Sequence, residues 1–259
     1  MLRNFIKTDM VKRYSLKLFV RIAIFVFVFA LYLINKDFMK EILTMKFSFG
    51  IMNYGITPMH IVWLVFMVMM ITHLFPNDKL SMALRKNKKE TYVEVPGYSQ
   101  LELMKFVQEQ NIKAWTIMLL WLCFNAIWGM LYLFGMIDGA DLFMLTVFYF
   151  LCDYICILFF CPFQTFIMKN KCCVNCRIYD WGHFMMFTPM LFIKNFYSRS
   201  LFFTALIVLI HWEIMYAKYP QRFWSGSNQT LQCMHCKDKT CQWKKAGSAA
   251  KQKETSRQT

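Results

Sequence analysis

The chemistry open to this 259-residue chain lies mainly in its ten cysteines. Three of them close the run Cys172-Cys173-Val174-Asn175-Cys176. Three more stand in Cys233-Met234-His235-Cys236-Lys237-Asp238-Lys239-Thr240-Cys241. Each run holds a Cys-x2-Cys spacing, Cys173 to Cys176 and Cys233 to Cys236. That spacing lets two thiolates of one tight loop reach the same metal ion, and a bound metal keeps the thiols deprotonated. Iron–sulfur clusters usually take four thiolates, and separate loops can share the task. Cys172, Cys173 or Cys176 would then complete a site begun by Cys233, Cys236 and Cys241. Zinc suits the same thiols, with His235 or His183 as a further ligand. Thiol–disulfide chemistry is the rival reading of both runs. Cys123, Cys152 and Cys156 fall in apolar stretches and read as small buried hydrophobes.

The tail run resembles the Cys-x-His-Cys-x-Asp-x-x-Cys stretches of ferredoxin-type 4Fe–4S proteins, in particular electron-transfer subunits of molybdopterin oxidoreductases. Lys245 stands where that pattern has its fourth cysteine, and no proline follows. Cys156-x4-Cys161-Pro162-Phe163 is similar to the Cys-x3-Cys-Pro elements of membrane-bound polyferredoxins, with one extra residue in the spacing. The resemblance implies an iron–sulfur cofactor and electron transfer.

Asp153 is the one acid well inside an apolar run. Intramembrane carboxylates are costly and are usually paired or functional. It reads either as a proton or ion site or as a hydrogen-bonded partner of Asn125 or a tyrosine. Asp180-Trp181-Gly182-His183 adds ligand or supporting groups beside the first cysteine run. His60 and His73 share one span but sit about 140° apart around a helix, which does not suit two stacked haems. No phosphate-binding glycine loop, dinucleotide fingerprint, nucleophile elbow or His-Glu-x-x-His motif is present. The 21 methionines are scattered through apolar runs as core filler.

The elements that must position these residues are membrane spans. The chain is 58% hydrophobic with mean hydropathy +0.35, and several apolar runs reach bilayer length. The runs are Leu18–Ile34, Ile56–Phe75, Trp115–Met136, Leu142–Met168 (interrupted by Pro162), Trp181–Tyr197 and Leu201–Ala217. The fifth is short and broken by Thr188 and Pro189, so it either crosses or re-enters. Six crossings put 24 Lys and Arg residues on one side and five on the other. The positive-inside rule makes the richer side cytoplasmic. Thiols stay reduced there, which favours metal over structural disulfides.

The N-terminal run lacks a small-x-small cleavage site and reads as an uncleaved first span. Ser99–Gln110 reads as an amphipathic helix on the inner surface. Asn228-Gln229-Thr230 fits a glycosylation sequon, without meaning on the cytoplasmic side. The +15 net charge matches basic loops against anionic lipid, and no nucleic-acid motif accompanies it.

The sequence therefore describes an all-α, polytopic membrane helical bundle of about six transmembrane helices with cytoplasmic termini, in an inner or plasma membrane. Residues 1–217 form the bundle, with a cytoplasmic loop at 76–114 and a Cys-rich loop at 169–180. Residues 218–259 form a cytoplasmic, basic, Cys-rich tail that is disordered at its end. The expected function is electron transfer through a cysteine-ligated metal centre, with a redox protein or quinone as partner besides the bilayer. The alternatives are a small ion or metal transporter using Asp153, a membrane thiol–disulfide oxidoreductase, and a structural protein tied by zinc.

Overall fold

The computed structural model describes residues 9–39, 58–75, 86, 89–170, 172, 173, 175–235 and 241. Among these the chain is all-helical, with one isolated antiparallel bridge between Glu94 and Asn228. The α-helices are α1 Asp9–Ile34, α2 Pro58–Leu74, α3 Gln100–Leu133, α4 Gly139–Leu158, α5 Gly182–Phe187 and α6 Phe196–Lys218. α1, α3, α4 and α6 are long and apolar enough to cross a membrane, while α2 is a shorter apolar helix. Their outer faces leave large apolar side chains exposed, among them Phe19, Phe27, Leu119, Ile207 and Ile214. Water would not tolerate a surface of that extent; lipid does.

Local chemistry sets the helix starts. Ser99 caps α3 by accepting from Glu102 N. Asp138 and Asp141 form a reciprocal capping box at the start of α4. The Asn195 side chain accepts from Tyr197 N at the start of α6. Each device satisfies backbone donors that a helix leaves without partners.

Side-chain contacts fix the helix directions. α1 runs antiparallel to α4: Tyr14 packs on Tyr154 near one end, with ring centroids 5.4 Å apart. Lys36 beyond the other end of α1 meets Asp141, with Nζ 2.6 Å from Oδ1. α2 runs parallel to α6, because His60 faces Tyr197 and Trp63 Nε1 donates to Ser200 Oγ at 2.7 Å. The start of α1, the ends of α2, α4 and α6, and the start of α3 thus lie toward one end of the bundle, which also carries the Cys172–Cys176 run.

α1 starts nine residues before the expected Leu18, and three further segments are built differently from the sequence reading. Ser99–Gln110 does not form a separate surface helix. It is continuous with the third span in a single 34-residue helix, about 51 Å long at 1.5 Å per residue. That exceeds the roughly 30 Å hydrocarbon core, and no Gly or Pro lies between Gln110 and Trp115 to break it. The fourth span ends as an α-helix at Leu158, and Phe163–Met168 follows Pro162 as a π-helical segment. In the fifth segment, a 3-10 turn Tyr179–Trp181, the short α5 and a second 3-10 turn Thr188–Phe192 follow one another, and Phe196 and Tyr197 belong to α6. This broken segment is enclosed by the other helices. Trp181, Phe187, Pro189 and Met190 are buried, and Gly129 on α3 admits the Phe192 ring so closely that a Cβ there would lie 2.3 Å from it.

A small cap closes the cysteine-bearing end. Val95 N donates to Ser227 O at 3.0 Å, and Gln229 N donates to Val93 O at 2.8 Å. Asn228 is buried; its Nδ2 donates to Arg222 O at 2.9 Å and its Oδ1 accepts from Thr230 N at 3.1 Å. The sequon asparagine therefore works as a cap for the turn Gln229–Leu231.

Candidate cysteine centre

The site starts where α4 stops. Pro162 has no N–H to continue the helical ladder, and the chain turns through the π-helical segment to Lys169, whose φ of 51° is left-handed. Gln164, buried in that segment, ties the pieces together. Its backbone N donates to Cys161 Sγ at 3.4 Å, its Nε2 donates to Asn170 O at 2.9 Å, and its Oε1 accepts from the Cys173 thiol at 3.1 Å. Asn170 holds the loop from its other side. Its Nδ2 donates to Asn175 O at 3.0 Å, and its Oδ1 accepts from Cys172 N at 3.3 Å. Cys176 N then donates to Cys173 O at 3.0 Å and closes the turn.

Cys173 and Cys176 are buried, and Cys172 is partly exposed. Cys176 packs with Met168, Ile178 and Trp181. Burial pushes its thiol up to about 12, against smaller opposing effects of the Ile178 backbone and Lys86. A thiol so placed stays protonated at neutral pH until a cation compensates its charge.

The tail reaches this loop. Asn175 Nδ2 donates to Leu231 O at 3.4 Å, and Leu231 packs in the cluster that Cys172 borders. Cys233, two residues beyond Leu231, is exposed, and Cys241 is partly exposed. His235 ends a turn by donating its backbone N to Gln232 O at 3.1 Å. Cys236 lies outside the described residues, as does the terminal stretch after Cys241. Among the described residues, no three His, Cys, Asp or Glu side chains converge as metal ligands do. The described residues Cys233, His235 and Cys241 join neither one another nor Cys172, Cys173 and Cys176 in such a group.

Buried charge surrounds the loop. Arg177 binds Glu213 of α6 end-on, with Nη1 2.7 Å from Oε1 and Nη2 on Oε2. Trp181 Nε1 donates to Glu213 Oε1 at 2.7 Å. The Arg177 guanidinium lies 3.7 Å from the Tyr216 ring centroid. Burial lowers the Lys86 ammonium, and the neighbouring Asp180 charge opposes that fall.

A second polar group lies deeper. Asp153 Oδ2 pairs with Arg21 Nη1 of α1 at 2.9 Å, and Arg21 is stacked 3.8 Å from the Tyr154 ring centroid. Asn125 instead bonds Tyr149, whose OH donates to its Oδ1 at 3.3 Å. His183 packs edge-on against His73 at 4.5 Å between centroids. Gly182 approaches Asp153 so closely that a Cβ would lie 2.9 Å from its Oδ1.

Sequence reasoning passed over Gln164, Asn170, Asn175, Arg177 and Lys86. Their clue was position alone, as amides and cations flanking the cysteine run. Gln164 makes a testable case. Gln164→Leu removes the acceptor of Cys173 and the donor to Asn170, lowering stability by about 1–3 kcal/mol. Maleimide labelling of Cys173 is then expected to quicken, and labelling at the wild-type rate would show that Gln164 does not hold the loop.

The fold and these buried charges define a membrane protein of the all-helical class. No family model, curated protein or solved structure matches the chain.

Proposed function

We propose that this chain is a six-crossing membrane protein with both termini in the cytoplasm, and that its cytoplasmic end carries a cysteine-ligated metal centre for electron transfer. The crossings are α1, α2, α3, α4, the broken segment 179–192 and α6. The helix directions support this count, since start and end of the bundle fall at the same end. The charge asymmetry supports the orientation.

One observation carries the metal centre. The Asn175–Leu231 hydrogen bond ties the Cys172–Cys176 loop to the chain two residues before Cys233, which supports a site shared by the two runs. Cys233, Cys236 and Cys241 are the proposed tail ligands, with Cys172, Cys173 and Cys176 as the loop's contribution. An iron–sulfur cluster held there supplies one-electron chemistry; zinc supplies structure only. The chain's own part is to hold the loop by Gln164 and Asn170, keep water from Cys173 and Cys176, and present an exposed tail to a redox partner or quinone. If both runs contribute ligands, Cys176→Ser and Cys236→Ser each release metal from the full-length protein. Metal retained in full by either variant removes that run from the site.

A further inference from the structure

Cys156 and Cys161 stand outside both cysteine runs, and their thiols share a hydrogen bond. The contact forms where α4 unwinds. The helix ends at Leu158, and the N–H groups of Phe159 and Phe160 both turn back to Ile155 O, at 2.8 and 3.2 Å. That tightening carries Cys161 back toward the last turn of α4, where Cys156 lies. Pro162 then opens the π-helical segment. A disulfide holds its sulfurs at about 2.0 Å, closer than a hydrogen bond between them does. Residues 159–161 lie outside any helix, so they can move to close that gap without breaking a helical ladder.

The two sulfurs differ in their surroundings. Gln164 N donates to Cys161 Sγ at 3.4 Å, and an N–H aimed at sulfur supports the thiolate, the nucleophile of disulfide exchange. Cys156 sits within α4 and receives no such donor from Gln164. Cys161 is therefore the attacking thiol and Cys156 the resolving one. The nearby Cys173 is held off, because its thiol donates to Gln164 Oε1 at 3.1 Å. Cys156 and Cys161 are each only partly exposed, which admits a slender reactant more readily than a folded protein.

We propose that Cys156 and Cys161 form a redox-active dithiol that reduces a low-molecular-weight disulfide. The Cys161 thiolate attacks one sulfur of that disulfide, its S–S bond breaks, and one thiol leaves with the proton that Cys161 gave up. The Cys156 sulfur then attacks Cys161 Sγ, breaks the mixed disulfide and releases the second thiol, which takes the Cys156 proton. Two electrons pass from the cysteine pair to the disulfide, and a Cys156–Cys161 bond remains. The pair shares no residue with the proposed metal ligands, so it stands or falls without them.

The test takes full-length protein in detergent, reduced and freed of reductant, and mixes it with glutathione disulfide. Acid quenching, alkylation and fragment mass spectrometry follow. The expected product is a Cys156–Cys161 fragment lighter by the two hydrogens lost, alkylated at neither residue and restored by dithiothreitol. Cys156→Ser is expected to stop at the glutathione mixed disulfide on Cys161, with about tenfold more of it than the wild type holds. The wild-type fragment decides the matter alone if that variant does not fold. Alkylation of both Cys156 and Cys161 after an excess of glutathione disulfide overturns the proposal. So does a lasting mixed disulfide in the wild type, or a bond from Cys161 to Cys173 or Cys176.

Discussion

Glu213→Leu lowers the stability of this protein by about 3–5 kcal/mol, because it leaves the Arg177 guanidinium buried without its carboxylate. The Arg177 side chain is 6% exposed, while Glu213 is 25% exposed. The result falls toward the lower figure, since solvent screens the more exposed partner. Trp181 also loses the acceptor of its indole N–H. The penalty belongs to the stranded charge, so Arg177→Met combined with Glu213→Leu regains most of the loss. Thermal unfolding in detergent, followed by tryptophan fluorescence, measures both variants. A double variant as unstable as Glu213→Leu alone would show that the pair itself, and not the orphaned cation, supplies the stability.

Arg21→Met is the second large effect, at about 2–3 kcal/mol. It strands Asp153 inside the bundle and removes a guanidinium stacked between Phe150 and Tyr154. Asp153→Asn is milder, about 1 kcal/mol, because an amide oxygen still accepts from Arg21. The order of the two melting temperatures is the check. Asp153→Asn melting below Arg21→Met would mean that Asp153 has partners the pairing with Arg21 does not account for.

Both pairs explain what a sequence can and cannot reveal here. Asp153 was legible as a costly acid within the fourth span, yet its pairing with Arg21 was not, because that match depends on α1 packing antiparallel to α4. Arg177 and Glu213 are 36 residues apart and meet only because segment 179–192 folds back along α6. The apolar runs made the spanning helices legible, and Pro162 marked an interruption in the fourth run, although the α-helix already stops at Leu158. The continuity of α3 was hidden, because its first turns are amphipathic and its later ones apolar, and such a change of surroundings looks like a change of element. The broken fifth segment looked weak in isolation. It persists because the surrounding helices bury Phe187, Pro189 and Met190 and supply partners for its polar groups: Thr188 Oγ1 accepts from Trp121 Nε1 at 3.2 Å. The cysteine runs were legible as motifs. The contact of the first run with the chain just before the second was not, because it rests on Asn175 and Leu231, which carry no motif.

Metal and acid-labile sulfide content, measured on full-length protein purified anaerobically in detergent, shows whether the two cysteine runs hold one metal centre. Iron with sulfide in fixed ratio to protein, and visible absorption bleached by dithionite, is the expected result. Protein free of both iron and zinc, with its thiols free or disulfide-bonded, would rule such a centre out.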